Sequence, residues 1–161
     1  MAVAATLIID EIMARMANIT TANGYNNNVL KIARGKLEPF VGYDLPAINV
    51  WATNLNSTQL SYDHERRELS IMIEIHGHTR DIPFTTVCER LAADVVTAMN
   101  RAVLSPAVSD NDSPNLAETV QDLNFEGYSY EVGNGQKPFC GALVRFTVVY
   151  HASKNDMTNY E

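Results

Sequence analysis

The chain is poor in the residues that mark many specialised functions. Its 161 residues include two cysteines and one tryptophan. Cys88 and Cys140 stand among apolar neighbours in a predicted helix and a predicted strand. Buried, reduced thiols are therefore expected, as in cytosolic proteins, although spacing alone leaves a disulfide open. Basic residues are also scarce, with 12 Lys and Arg against 19 Asp and Glu and a net charge of -7. That balance argues against a sequence-reading nucleic-acid binder, which carries a basic patch. It is compatible with a surface past which DNA slides, because such a surface repels phosphate. No uninterrupted apolar run reaches the roughly 18 residues needed to span a bilayer. Asp10 and Glu11 break the first apolar stretch, and no basic leader precedes it, so no signal peptide is expected.

What is present suits one globular domain. At 46% hydrophobic residues the chain can bury a proper core, and whole-chain disorder is not expected. Residues 2–18 have a helical pattern, with Ile8, Ile12, Met16 and Ile19 recurring on one side. Gly24, flanked by asparagines in ITTANGYNNN, is a helix-stopping signal, because Gly and Asn tolerate the left-handed conformation. Short strands are predicted over 29–33 and 48–53. Residues 60–63, a polar turn HERRE and residues 69–76 form a predicted hairpin. In its second arm Leu69, Ile71, Ile73 and Ile75 share one face, and Ser70, Met72, Glu74 and His76 share the other.

Pro83 opens a predicted helix running to about Leu104, with Thr85 or Thr86 able to cap it. Val87, Leu91, Val95, Ala98 and Ala102 form its buried stripe, beside Cys88, Ala92 and Met99. Residues 105–115 are polar, acidic and punctuated by proline, hence a loop. Two strands over 119–132 and 138–152 complete the chain, and the tail from about 153 is expected to fray. In the last strand Ala142, Val144, Phe146, Val148 and Tyr150 alternate with Leu143, Arg145, Thr147, Val149 and His151. Strands without intervening crossover helices imply an α+β domain. Its sheet is mostly antiparallel, with an N-terminal helix and a long central helix packed on one face.

Several groupings invite a chemical reading, and each has a plainer one. His76-Gly77-His78 with Asp81 could begin a metal site for a metal-dependent hydrolase, since an i, i+2 pair points two imidazoles to one side. Zinc needs three or four ligands, and no complete set accompanies the pair. A strand end turning at Gly77, with Arg80 and Asp81 solvated, is the preferred reading. Gly133-Asn134-Gly135-Gln136-Lys137 lacks the helix start that a phosphate loop requires and fits a hairpin turn. There is no G-x-S-x-G. Cys140 and His151 lie about 35 Å apart along one strand, too far to pair. Glu65, Glu68, Asp110 and Asp112 fall in predicted loops, where carboxylates are usually solvated. No metal, cofactor or catalytic residue is expected.

Trp51 and the tyrosines at 25, 43, 62, 128, 130 and 150 are interface candidates, because Tyr and Trp bury large area while keeping a polar tip wet. Trp51 is the notable one. Its neighbours Val50 and Ala52 face the other way, so either both faces of that strand are covered or Trp51 meets another subunit.

The segment ITTANGYNNN, followed by Leu45-Pro46-Ala47-Ile48 and the order helix, two short strands, hairpin, helix, hairpin, resembles the tail terminator (tail completion) proteins of long-tailed bacteriophages, the lambda-like tail terminators. The resemblance covers nearly the whole chain as one domain and is carried by element order and scattered positions. It implies a structural subunit that catalyses nothing. Such subunits close, usually six at a time, into a ring on the last ring of the tail tube. The expected partners are further copies of the chain, the tail tube protein and a head–tail connector or neck protein. Double-stranded DNA would pass through the lumen without specific binding, and no membrane is involved. The expected location is the head-proximal end of the virion tail, after assembly in the host cytoplasm. A different neck or head-completion protein is the nearest alternative. On this basis Trp51, Tyr62, His64, Arg66 and Arg67 are candidate subunit or partner contacts, with both arginines able to meet a neighbour's acids. Asp110 and Asp112 are candidate lumen or axial-loop residues.

Overall fold

A computed structural model of the chain describes residues 4–79, 82–101, 120–131 and 139–153. The predicted loops 105–115 and 133–137, with Arg80, Asp81, Ala102, Asp110 and Asp112, lie outside the described residues. The architecture is α+β, with five strands and two α-helices among the described residues. The strands are β1 (Lys31–Arg34), β2 (Ala47–Gln59), β3 (His64–His78), β4 (Val120–Glu131) and β5 (Phe139–Ser153); the helices are α1 (Ala4–Ala17) and α2 (Phe84–Asn100). They form one sheet in the order β1-β2-β3-β5-β4. β1 runs parallel to β2, and every other pair is antiparallel.

Alternation of apolar and polar residues decides which face meets the helices. On β3, Leu69, Ile71, Ile73 and Ile75 are buried, as are Ala142, Val144, Phe146, Val148 and Tyr150 on β5. Paired in register, for example Ile73 with Val144 and Ile71 with Phe146, they make one apolar surface. Ile8, Ile12 and Met16 of α1 and Leu91, Val95 and Met99 of α2 join it in a single core. Arg15 ties the helices together by donating to the Met99 carbonyl. Among the described residues the opposite face of the sheet carries no α-helix.

Gly77 shows why α2 can lie so close. A Cβ there would come within 2.7 Å of Val87 Cγ1 and 3.0 Å of Leu91 Cδ1. The strand does not turn at Gly77 as expected from sequence. It runs on to His78, and the glycine makes room for the helix.

Three further expectations are corrected. The HERRE segment is not a turn but the first five residues of β3, and the chain reverses at 60–63, where the Leu60 and Ser61 amides donate to the His64 carbonyl at 3.0 and 3.1 Å. β2 continues to Gln59 rather than ending at 53, because β3 pairs with it along its whole length, past an irregularity between Ala52 and Asn54. α2 begins at Phe84 with Pro83 in the cap position and no side-chain cap, so neither Thr85 nor Thr86 serves there, and it ends at Asn100. Gly24 does adopt the left-handed conformation (φ 85°), closing a single 3-10 turn over Thr21–Asn23 rather than α1 itself.

Candidate functional site

The sequence-predicted contact residues fall into three places. Tyr62 stands at the tip of the β2–β3 hairpin, 87% exposed, beside Leu60 at 52%. His64 and Arg66 follow on β3 and are half-buried; Arg66 pairs with Glu68 at 2.7 Å. β2 between Thr53 and Gln59 is exposed on both faces except for Leu55. The hairpin therefore offers its tip and one strand to solvent.

Arg67 differs from the expectation of a surface contact. It points toward the helix side of the sheet and is 2% exposed. Its guanidinium is held by Glu65, with Nε and Nη2 at 2.8 and 2.5 Å from Oε1. Tyr150, opposite Arg67 in register, is hydrogen-bonded to the same guanidinium. Burial pushes the Tyr150 phenol up while Arg67 opposes the shift. An arginine buried in this way cannot reach a neighbour's acids. Its acidic partner Glu65 belongs to its own strand, and the pair stiffens the hairpin close to its turn.

Trp51 is half-buried on the helix-free face, paired in register with Met72. Val50, fully buried, points toward the helices. At the other end of this face residues 35–46 cross the sheet. Asn49 holds the crossing segment through both its polar atoms, accepting from the Lys36 amide and donating to the Lys36 carbonyl at 2.9 Å each. Phe40 packs on the His76 ring at 5.4 Å between centroids. Gly42 lies so close to Phe139 that a Cβ would meet its ring at 3.1 Å.

The His76, Gly77, His78 sequence does not gather into a ligand set among the described residues. His76 Nε2 lies 3.1 Å from Glu74 Oε1, and Asn49 Nδ2 donates to Glu74 Oε2 at 3.3 Å. The bond from His76 holds the Glu74 carboxyl below the usual carboxylate range, with Asn49 helping and burial opposing. His78 packs against Phe139 at 5.4 Å. Among the described residues no group of three or more His, Cys, Asp or Glu could hold a metal ion. Both cysteines are free and buried, with Cys88 Sγ 3.5 Å from the Gly141 carbonyl. Hydrogen bonding to Cys140 and burial push the Cys88 thiol up, the reverse of what a nucleophile needs.

Asp94 was not distinguished in the sequence. It is buried on α2 and accepts four hydrogen bonds from Asn26 and Asn27. The asparagine run in ITTANGYNNN is thus a clasp between the first loop and the central helix. Of the tyrosines named from the sequence, Tyr128 packs on Tyr130 and Tyr130 on Phe84 of α2, while Phe125 packs separately on Phe146 of β5.

No family model matches the chain, and no curated protein matches it. No described helix is long and apolar enough to cross a membrane.

Proposed function

We propose that this chain is a structural, non-enzymatic subunit of a ring that caps a phage-type tail tube. In this reading it stops tube polymerisation and presents its other face to a head-side neck protein. One observation carries the reading: a long β2–β3 hairpin, braced close to its turn by the pair of buried Arg67 and Glu65, exposes Leu60 and Tyr62 at its tip. Large apolar groups on a braced projection are the kind of surface that meets another chain. The order observed among the described residues, helix, one short strand, hairpin, helix, hairpin, has one strand fewer than the order read from the sequence, so the resemblance to tail terminators enters through ITTANGYNNN and scattered positions. Six acidic copies, each with a net charge of -7, would disfavour sticking of DNA phosphates in a shared lumen.

Native mass spectrometry across concentration, alone and with purified tail tubes, tests the proposal, with metal content read from the same spectra. A metal-free closed ring, of six subunits on the resemblance, is expected either free or seated on tube ends. A metal-loaded monomer that ignores tubes would overturn it. Binding to isolated neck rings but not to tubes would reassign the protein to the neck.

A further inference from the structure

The two outer strands of the sheet differ in charge. β4 carries Asp122, Glu126 and Glu131 and no Lys or Arg; β1 carries Lys31 and Arg34 and no acid. Arg34 is engaged by Asp10 of its own chain at 3.0 Å, whereas Lys31 is exposed and makes no ion pair among the described residues. Apolar side chains also stand in water on β4 and in the chain flanking β1. Leu30, beside β1, is exposed, and so are Phe125 and Tyr128 on β4. Leu37, just beyond β1, is 99% exposed.

Each outer strand leaves one row of backbone N–H and C=O groups without a strand partner among the described residues. Sheet edges of this kind pair with other chains unless something blunts them. β4 is blunted by irregularities between Val120 and Asp122 and between Phe125 and Gly127, the latter at φ 119°. Its longest regular stretch is Gly127–Glu131, close in length to the four residues of β1.

We infer that these two strands are the two halves of one contact, in which β1 of one copy lies along β4 of the next. This rests on the ring reading and names the surface that would build the ring. Opposite charge commits the partner to a second copy in head-to-tail order. Pairing β4 with another β4 would set three carboxylates against their own kind, which disfavours a two-fold dimer. The two halves lie on opposite sides of a five-stranded sheet, about 19 Å apart at the usual strand spacing. A contact joining opposite sides of a subunit propagates from copy to copy, and it gives a ring when the rotation closes.

A charge swap in the full-length chain tests the contact. Lys31→Glu changes one half, and Glu126→Lys with Glu131→Lys, the acids at the two ends of the regular stretch, changes the other. All three positions are exposed, and circular dichroism would check that each variant folds. Each variant alone should lose rings at least about tenfold in native mass spectra, since like charges then meet at every contact. Mixed in equal amounts, the two should assemble again as alternating copies, because every contact then joins opposite charges. Variants that assemble like the unmodified chain would overturn the contact while leaving the ring standing. Loss without recovery on mixing would also overturn this pairing. If the unmodified chain assembles neither alone nor on tubes, the ring reading itself fails and takes the contact with it.

Discussion

Asp94 Oδ1 accepts two hydrogen bonds from Asn26, one from its backbone N–H and one from its side-chain amide, each at 2.9 Å. Oδ2 takes the same pair from Asn27 at 2.9 and 2.8 Å. All four partners are donors, and a carboxylate is the side chain that only accepts. Asp94→Ala removes the acceptor and should cost about 3 kcal/mol, seen as a lower melting temperature by circular dichroism. Asp94→Asn should cost nearly as much, because its new NH2 faces donors. An asparagine variant as stable as the parent would refute this account of the clasp.

Gly77 sets the distance between β3 and α2. Adding one methyl places it 2.7 Å from Val87 Cγ1, which no real contact tolerates. Gly77→Ala should therefore destabilise by about 1–3 kcal/mol, as overpacking does. If the cause is this contact, Val87→Ala should cost less in the Gly77→Ala background than in the parent. A double-mutant cycle by urea denaturation reads that coupling.

The elements whose pattern is local were legible in the sequence. Period-two alternation placed the core faces of β3 and β5, and helical spacing placed Ile8, Ile12, Met16, Leu91 and Val95 in the core. What escaped depends on partners distant in sequence. Five polar residues, HERRE, look like a turn until Tyr150 of β5 is seen beside Arg67 and Glu65 is seen to take its charge. Asp94 looks like one more polar helix position, because the asparagines it binds lie 68 residues earlier. The far half of β2, TNLNSTQ, lacks alternation because both of its faces are largely in water, so no hydrophobic period marks it as a strand.

Arg67 and Glu65 form a pair whose arginine is almost wholly buried. Removing one partner from a buried pair strands the other charge, so Arg67→Ala should cost about 3 kcal/mol or more. Replacing both, as Arg67→Met with Glu65→Leu, should recover part of that loss, since the two charges leave together while the buried Tyr150 hydroxyl loses its bond to Arg67. Chemical denaturation of the three chains is the check. A double variant no more stable than Arg67→Ala would mean that the pair does more than neutralise itself.

Glu74 links stability to pH. Its carboxyl titrates lower in the folded chain than its ordinary value, chiefly through the hydrogen bond with His76. The unfolded chain therefore takes up the Glu74 proton first as pH falls, and folding is favoured by the ionised form. That contribution is complete above the ordinary glutamate value of about 4.3 and disappears as pH falls through the lower folded value. Melting temperatures of the parent and of Glu74→Gln should differ near pH 6 and converge toward pH 3. A gap that stays constant over that range would show that the His76 bond does not discriminate between the two forms.

The hairpin tip is where function and folding should separate. Leu60 and Tyr62 are exposed and lie in the connection between β2 and β3, so neither contributes a buried group to the core. Leu60→Ser with Tyr62→Ser should leave the melting temperature within about 1–2 °C, as surface changes usually do. If the tip meets the tail tube, the same variant should bind tube ends at least about tenfold more weakly, as expected when large apolar anchors are lost from an interface. Electron microscopy should then show tubes longer than those capped by the parent chain. A variant that folds, seats on tubes and limits their length as before would remove the tip from the tube contact. The tube-facing surface would then have to be sought on the helix-free face around Trp51 and Met72.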